Sequence, residues 1–374
     1  MADNNENKVL NVPHLRFPEF SGEWNKCTIN DLATVVGGGT PDTTVKSYWG
    51  GDIQWFTPSE IGKNKYVDFS LRTITRDGLD NSSAKLLPLH TILLSSRATV
   101  GECSIASNEC TTNQGFQSLI AKQCNIDFLY YLIQTKKKDL IRNACGSTFL
   151  EISANEIRKI KVAVPVQNEQ EQIAKLLSLI DERIATQNKI IEKLQSLIKG
   201  LAAQLTQSGT PNIRLCDCLE CHSSTLQENC VSVTGSYPVY GATGLIGYTN
   251  NYAYNGESIL IVKDGSGVGS LSYVNDHFSV IGTLNYLTAK ENYSILYLYY
   301  ALMAFNFTPY ITGMAIPHIY FKDYGKAKLF YPSIEKRIRI ASLLHNIEQK
   351  LVVEQNLVIS LSAQKSYLLR MLFI

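Results

Sequence analysis

The residues best suited to holding a metal ion are crowded into one short stretch of the chain. Cys216, Cys218 and Cys221 stand within six residues, and His222 and Cys230 follow them. A structural zinc site usually pairs two separated couples of ligands, whereas this stretch offers one group with no second couple. Thiols without a metal are therefore the favoured interpretation, and the sequence predicts no metal site and no cofactor bound to this chain.

Groups for catalysis are equally hard to assemble from the sequence. The chain has neither the Asn/Asp-Pro-Pro-Tyr/Phe motif with which adenine methyltransferases hold a flipped base nor a P-loop for phosphates. The glycines between Gly265 and Gly269 lack the spacing and the following helix of a dinucleotide fingerprint. Glu348 and Lys350 resemble the end of a nuclease motif, but they lie in a helical stretch whose charges should face solvent. We therefore assign no catalytic residue and predict that the chain alone is not an enzyme.

Length and composition set limits on the elements that could position functional side chains. At 374 residues and 45% hydrophobic content, the chain should form two domains with connecting structure. The first dozen residues lack the basic start and apolar stretch of a signal peptide, and the longest apolar run, Ile295–Phe307, is too short to span a bilayer. Nine scattered cysteines suit a reducing compartment. These features predict a cytoplasmic protein without membrane contact.

The chain contains an internal repeat. The segment PVQNEQEQIAKLLSLIDERI from Pro165 aligns without a gap with PSIEKRIRIASLLHNIEQKL from Pro332, at an offset of 167 residues. Upstream, Thr91–Gly101 matches Ser258–Gly269, and one extra residue in the second copy changes the offset to 168. A register sustained over this length indicates a duplicated unit, in which a globular domain is followed by a long helix.

Both long helices carry an apolar seam with heptad spacing, which is typical of a coiled coil. Nine of ten seam positions are apolar in the first helix and eight of ten in the second, and the break at Gln187 recurs at Glu354. Antiparallel pairing within the chain is the favoured arrangement; packing of each helix on its own domain, or a homodimer, are the alternatives. The residues assigned to helix pairing and subunit docking are Ile173, Leu177, Ile180, Ile184, Ile191, Leu194, Ile340, Leu344, Ile347, Leu351, Val358 and Leu361.

The predicted fold class is α+β, with two pseudo-symmetric mixed α/β domains joined by two long antiparallel coiled-coil helices. The predicted segments are a disordered tail (1–12), a first domain (13–164), a central spacer helix (165–206), a second domain (207–334) and a C-terminal spacer helix (335–374). The β-rich runs in the first domain are Thr28–Val36, Ile53–Thr57, Thr91–Ser96 and Gln117–Ala121. A helix is predicted near Asp127–Arg142, with a counterpart at Ile295–Phe305.

Several stretches resemble a known family. VPHLRFPEFSGEW and GGGTPDTTVKSYWGGDIQWFTPSEI resemble the first target-recognition domain of type I restriction specificity subunits. YPVYGATGLIGYTNNYAYNGESILIVKDGSGVG is similar to another version of that domain. GSTFLEISANEIRKIKVAVP and GMAIPHIYFKDYGKAKLFYP resemble the family's junction between recognition domain and spacer helix. The resemblance extends from about Pro13 to the end of the chain.

The resemblance implies a non-catalytic subunit that binds double-stranded DNA. Each target-recognition domain would read one half of a split sequence, and the paired helices would fix the distance and hold two methyltransferase subunits, with restriction subunits joining them. S-adenosylmethionine, ATP and Mg are expected on those partner subunits only. A helix of about 39 residues is about 58 Å long. Two DNA sites one turn apart lie about 34–36 Å from centre to centre, so such a helix is long enough for two reading domains.

The residues expected to contact DNA under this resemblance lie in polar loops and on one basic helix. They are Ser96, Arg97, Thr99, Asn113, Gln114, Lys137, Ser147, Thr148, Lys263, Asp264, Ser266 and His318. Arg97 could bind guanine through two hydrogen bonds, or be a phosphate contact or plain surface arginine. Asn113 and Gln114 could pair with adenine edges or form an ordinary turn. Lys137 could contact a phosphate or lie on a solvated helix face. His318 could contact a phosphate or pack against neighbouring side chains.

Two other functions remain open at this level. The chain could be a DNA-modifying enzyme whose site is disguised by divergence, which methylation by the purified chain alone would establish. It could instead be a coiled-coil scaffold with two protein-binding heads. Absence of salt-sensitive, sequence-dependent DNA binding in the presence of a methyltransferase partner would favour the scaffold.

Overall fold

The computed structural model describes residues 11–146 and 150–374, which divide into two compact units. The first unit comprises Met1–Thr186 and Val358–Ile374, and the second comprises Gln187–Leu357. Residues 1–10 of the predicted tail lie outside the described residues. Asn11, which the sequence assigned to that tail, is buried and donates a side-chain hydrogen bond to the Trp24 carbonyl at 2.6 Å. The folded part of the chain therefore includes Asn11.

The first unit is a mixed α/β domain. Its strands are β1 (Asn25–Thr28), β2 (Ala33–Gly37), β3 (Trp49–Phe56), β4 (Tyr66–Val67), β5 (Arg72–Ile74), β6 (Ile92–Leu94), β7 (Cys103–Ala106), β8 (Cys110–Thr112), β9 (Gln117–Ala121) and β10 (Lys161–Val164). Its helices are α1 (Ile29–Leu32), α2 (Arg76–Asp80), α3 (Ile126–Thr135), α4 (Lys137–Arg142), α5 (Ala154–Lys159) and the first half of α6 (Gln167–Thr206). The sheets have strand orders β2-β9-β6-β7-β4, β5-β3-β8 and β1-β10.

Two predicted elements of this unit differ from the structure. The run Thr28–Val36 is not one strand, because helix α1 interrupts it. Asp31 accepts hydrogen bonds from the backbone N–H and the hydroxyl of Thr28, each at 2.7 Å, and this capping arrangement starts the short helix. The predicted helix Asp127–Arg142 is two helices that separate at Lys136, whose N–H is shared between the Leu132 and Ile133 carbonyls.

The second unit has the same plan. Its strands are β11 (Ile213–Arg214), β12 (Leu219–Ser223), β13 (Tyr237–Gly241), β14 (Gly244–Thr249), β15 (Tyr254–Val262), β16 (Leu271–Val280), β17 (Leu284–Ala289) and β18 (Lys328–Leu329). Its helices are α7 (Leu215–Cys218), α8 (Ile295–Met303), α9 (Phe321–Tyr324), the second half of α6 and most of α10 (Ile334–Leu372). The large sheet has strand order β12-β17-β15-β16-β13-β14.

The strand orders show that the sequence repeat is a repeat of topology. The order β2-β9-β6-β7-β4 in the first unit corresponds to β12-β17-β15-β16-β13 in the second. In both, the fifth strand is parallel to its neighbour while the other pairs are antiparallel. The predicted fold class, two mixed α/β domains with two long helices, is confirmed.

The long helices contribute to the core of each unit. In the first unit Ile173 and Leu177 of α6 and Leu372 of α10 belong to the same buried cluster as Phe128 and Tyr131 of α3. In the second unit Ile198 of α6 and Leu344 of α10 are buried with Tyr297 and Tyr300 of α8. Each large apolar side chain buried in this way contributes about 1.5–3 kcal/mol to stability. The helices therefore both pair and complete a domain core.

The helix pairing is antiparallel within each unit. In the first unit the Lys365 ammonium lies 2.6 Å from the Asp181 carboxylate. In the second unit the side-chain amide of Gln187 donates to the carboxylate of Glu354. Gln187 and Glu354 are separated by the repeat offset of 167 residues, so the two polar breaks in the seams meet each other.

Within residues 11–146 and 150–374, no helix combines the length and the apolar character needed to cross a bilayer.

Candidate nucleic-acid interface

The first candidate loop follows strand β6 and is closed by its own backbone. We call Ser95–Gly101 the first strand-end loop. The N–H of Gly101 donates to the Ser95 carbonyl at 3.0 Å, and the Ser95 and Thr99 hydroxyls are 2.8 Å apart. Ala98 adopts a φ of 62°, an unusual conformation for a residue other than glycine, which turns the chain at the tip. Arg97 and Thr99 are exposed there, whereas Ser96 is fully buried.

A second segment lies against this loop. We call Cys145–Glu151 the first junction loop, because it precedes the return to the spacer helix. Cys145 and Glu151 exchange two backbone hydrogen bonds of 2.9 Å each. Ala98 donates to the Leu150 carbonyl at 3.1 Å, and Ile152 donates to the Ser96 carbonyl at 2.9 Å. Ser147 and Thr148 lie outside the described residues.

The second unit contains the same pair of loops. We call Val262–Gly269 the second strand-end loop and Thr312–His318 the second junction loop. Gly265 donates to the Pro317 carbonyl and Ile319 to the Lys263 carbonyl, each at 2.9 Å. Thr312 and His318 exchange backbone hydrogen bonds of 2.9 and 2.8 Å. Each of these donor and acceptor residues lies 167 positions after its counterpart in the first unit, so the repeat preserves the bonds between the loops.

The structure therefore brings most of the candidate residues of each half together. Lys263, Asp264 and His318 share one face of the second unit, with Asp264 and His318 joined by a β-bridge. Ser266 is exposed in the same strand-end loop. His318 is half-buried, and its Nδ1 lies 3.1 Å from the Ile316 carbonyl. The imidazole of His318 therefore lies close to its own loop.

The remaining candidates of the first half also approach the strand-end loop. Ser96 donates its N–H to the Gly115 carbonyl at 2.8 Å, which places the turn at residues 113–115 beside it. The Asn113 side chain accepts the Gly115 N–H at 2.8 Å and so stabilises the turn. Gln114 is exposed and accepts a hydrogen bond from Thr40. Lys137 forms an ion pair with Glu102, next to Gly101.

The cations of the first half stand beside carboxylates. The Arg97 guanidinium is 3.8 Å from the Glu151 carboxylate, and both side chains are about half exposed, at 48% and 52%. An exposed ion pair of this kind contributes about 0–1 kcal/mol, so Arg97 can leave Glu151 for another partner at small cost. Glu151 was not among the predicted residues. Glu151 and Arg97 are 54 positions apart in the sequence, and no local pattern indicated that they are in contact.

Comparison with known proteins decides the family. The pattern of the type I restriction modification DNA specificity domain matches residues 21–196 and again residues 213–361. This chain belongs to that family. Its two matches cover the two halves that the sequence repeat and the strand order define.

Relatives of this specificity-family chain agree with that assignment. It is 39% identical over 183 residues to the type I restriction enzyme MjaIX specificity subunit of Methanocaldococcus jannaschii, an alignment covering 46% of this chain and 42% of that one. It is 25% identical over 361 residues to the EcoprrI specificity subunit of Escherichia coli, covering 87% of each.

Two solved structures share the fold. The S subunit of a type I restriction-modification system from M. genitalium has a TM-score of 0.64 at 19% identity, covering 97% of this chain and 99% of that one. A chain from a structure of complex assembly in a type I R-M system has a TM-score of 0.55 at 14% identity, covering 96% and 98%. At these identities the likeness concerns the fold alone.

In each half of this family member a carboxylate on a long helix accepts hydrogen bonds from tyrosine hydroxyls. Tyr131 of α3 donates to Asp181 of α6 at 2.6 Å. In the second unit Tyr299 and Tyr300 of α8 donate to Glu348 of α10 at 2.9 and 2.6 Å. Burial, with the neighbouring carboxylate, raises the pKa of all three tyrosines, so their hydroxyls remain donors. Asp181 and Glu348 are 167 positions apart, so the offset of the repeat relates these two carboxylates as well.

The residues assigned to helix pairing differ in burial. Ile173, Leu177, Ile340 and Leu344 are buried in the cores of their units. The other eight are half-buried along the helices: Ile180, Ile184, Ile191, Leu194, Ile347, Leu351, Val358 and Leu361. Other apolar side chains of the same helices are exposed, including Leu179, Val353 and Ile359. The apolar surface of the helices thus extends beyond the seam.

The cysteines of this specificity-family chain do not gather into a metal site within the described residues, where no group of three or more His, Cys, Asp or Glu side chains is placed to hold an ion. Cys218 is buried, and its thiol donates to backbone carbonyls of its own helical turn. Burial raises the pKa of Cys218 to about 12 and that of Cys221 to about 11. Both thiols are therefore protonated near neutral pH in the metal-free chain.

Proposed function

We propose that this chain is the non-catalytic specificity subunit of a type I restriction–modification complex and reads a two-part target in double-stranded DNA. Each domain would read one half-site with its strand-end and junction loops. The observation that supports this most directly is the duplicated set of hydrogen bonds between those loops, conserved at an offset of 167 residues. Two equivalent reading surfaces are what a split target requires.

The long helices are the proposed docking site for the partner subunits. Two methyltransferase subunits would dock on α6 and α10, whose exposed apolar side chains supply contact area, and restriction subunits would join them. S-adenosylmethionine, ATP and Mg would be bound by those partners, because the chain itself offers no motif for them.

The experiment that tests this proposal is a map of methylated bases across the genome of cells with and without the gene. We expect one asymmetric motif of two parts, separated by unspecified bases, to lose methylation when the gene is absent. Retention of every methylated motif in the deletion strain would contradict the proposal.

A domain exchange then tests the division of labour. Residues 13–164 are replaced by the equivalent residues of a relative, while 207–334 are kept. We expect one half of the methylated motif to change and the other to remain. The reciprocal exchange of 207–334 is the matched control and should change only the other half. If either exchange alters both halves, the assignment of one half-site to each domain is wrong.

A further inference from the structure

The second junction loop presents two apolar side chains to solvent. Met314 is fully exposed, at 102% of its reference area, and Ile316 is 64% exposed. They lie at the tip of a loop whose base is closed by the paired hydrogen bonds of Thr312 and His318. Gly313 adopts a φ of 91°, and a side chain there would collide with the Ile316 carbonyl at 2.3 Å. The backbone is thus shaped to project these two residues.

The surroundings of this apolar tip (Met314–Ile316) are polar and carry charges of both signs, since Asp264 is bridged to His318 at the base of the loop. Lys263 lies at the base of the loop, where its carbonyl accepts the Ile319 N–H. Tyr320 packs edge-on against His318, with ring centroids 5.0 Å apart, and the exposed Lys322 ammonium lies 5.1 Å from the Tyr320 ring. An apolar tip flanked by ammonium and phenol groups matches the chemistry of duplex DNA, in which apolar base faces lie between anionic backbones.

We propose that the side chains of Met314 and Ile316 insert between two adjacent base pairs of the half-site read by the second unit, and unstack that step. Met and Ile are among the side chains that other proteins use as such wedges, and insertion kinks the duplex. The cost of unstacking depends on the step, so the wedge would favour flexible pyrimidine–purine steps without a hydrogen bond to any base. This inference rests on the proposed function, because it requires the second strand-end and junction loops to face DNA.

A protein partner is the other possible occupant of the tip, and two observations favour DNA. The tip belongs to the same loop as His318, which is bridged to Asp264 in the strand-end loop. The tip is also small, since it consists of two large apolar side chains and Ala315, whereas the centre of a protein interface usually contains a larger apolar patch.

The test uses the complete complex with its methyltransferase subunits and duplexes that carry the mapped target. Each duplex has one 2-aminopurine at a different step of the half-site assigned to residues 207–334. The methylated adenine itself is left unlabelled, since base flipping by the methyltransferase would unstack it in any case. We expect the wild-type complex to raise the fluorescence at one step.

Three variants separate the outcomes. The double substitution Met314→Ser with Ile316→Ser should abolish the fluorescence rise and raise Kd about tenfold. Met314→Leu with Ile316→Leu should retain the rise, because apolar bulk is kept. Val233→Ser, at another residue of this unit that is 90% exposed, should change neither quantity. Because all these positions are exposed, the substitutions should leave folding intact.

Other results would contradict either the wedge alone or the wedge together with the proposed function. If the Ser variant keeps the fluorescence rise and the affinity, or loses methyltransferase association while DNA contacts persist, the wedge is wrong but the proposed function stands. If the wild-type complex shows no sequence-dependent binding at all, the proposed function fails together with the wedge.

Discussion

At the scale of single residues, Arg97 combines exposure, a weak ion pair and a rigid loop. Its partner Glu151 is 3.8 Å away, and the loop beneath it is fixed by hydrogen bonds on both sides of Ala98. A fixed backbone under an exposed side chain suits recognition, because the side chain can exchange partners while its Cα stays in place. Lys137 is paired in a similar way with Glu102, and its side chain is 45% exposed.

We expect Arg97→Ala to weaken binding of the correct half-site by about 1–3 kcal/mol, if Arg97 binds a guanine through two hydrogen bonds. Discrimination at that one base pair should fall, while other positions remain unaffected. The measurement is a comparison of Kd for the complete complex on duplexes substituted at each position. The control is Arg76→Ala, which removes an exposed arginine paired with Asp80 on α2. A uniform loss across all sequences would instead indicate a phosphate contact, and an unchanged Kd would exclude Arg97 from the interface.

The raised thiol pKa values predict which cysteines react with an alkylating reagent at a given pH. Burial raises the pKa of four thiols to about 12: Cys103, Cys110, Cys124 and Cys218. A raised thiol pKa keeps the proton on sulfur, so at pH 8 only about one in ten thousand of these groups is the reactive thiolate. We expect exposed Cys145 and Cys230 to react with iodoacetamide first, as followed by mass spectrometry of the folded chain. In urea all nine should react alike; equal rates in the folded chain would contradict the burial.

At the scale of elements, the tyrosine–carboxylate contacts determine how each domain is held on its helices. Asp181 accepts the Tyr131 hydroxyl and pairs with Lys365, so one carboxylate joins α3, α6 and α10. Asp181 and Lys365 are each only 18% exposed. Such a pair is costly to break from one side, because the remaining charge stays partly buried without compensation.

We therefore expect Asp181→Asn to lower the free energy of unfolding of the first unit by about 2–3 kcal/mol. All three tryptophans, Trp24, Trp49 and Trp55, lie in that unit, so tryptophan fluorescence during urea unfolding reports on it alone.

Two control variants show whether the loss of stability is specific to Asp181. Glu156→Gln removes one side of an exposed pair with Lys159 and should cost at most about 0.5 kcal/mol. Glu348→Gln removes the equivalent carboxylate of the second unit and should leave the tryptophan transition unchanged. An Asp181→Asn variant as stable as the wild type would show that the contact does not hold the domain.

At the scale of the whole molecule, the charge is small for a protein proposed to bind DNA. The net charge is +2 over 374 residues, and the cations at the first pair of loops lie beside Glu102 and Glu151. In the proposed complex, affinity for phosphates should therefore depend on the methyltransferase subunits, while this chain would supply the selectivity.

Because the net charge is small, we expect the DNA affinity of the isolated chain to depend only weakly on salt concentration. The logarithm of the binding constant falls with the logarithm of salt concentration with a slope of about −0.9 for each neutralised phosphate. For a labelled random duplex, measured by anisotropy between about 50 and 200 mM salt, we expect a slope shallower than about −4 for the chain alone. Addition of the methyltransferase subunits should make the slope steeper. A steep slope for the isolated chain would contradict this distribution of charge.

The features of this protein that could be predicted from its sequence are those that depend on periodicity. Heptad spacing predicted both long helices, and the offset of 167 residues predicted that the domains share a topology, because copies of one sequence bury the same pattern of side chains. The same offset predicted that the polar break at Gln187 recurs at Glu354. The sequence also directed attention to Arg97 and Lys263, which follow equivalent strands.

Which side chains are in contact and which face solvent became clear from the three-dimensional fold alone. Ser96 and Arg97 are neighbours in the chain, yet one is buried and the other exposed, because the backbone of Ser96 is bonded to Gly115 and Ile152 while Arg97 lies at the tip of the loop. The contacts of Arg97 with Glu151 and of Tyr131 with Asp181 join residues about 50 positions apart. Neither contact has a local signature, since the folding of the intervening strands and helices sets the distance between the partners.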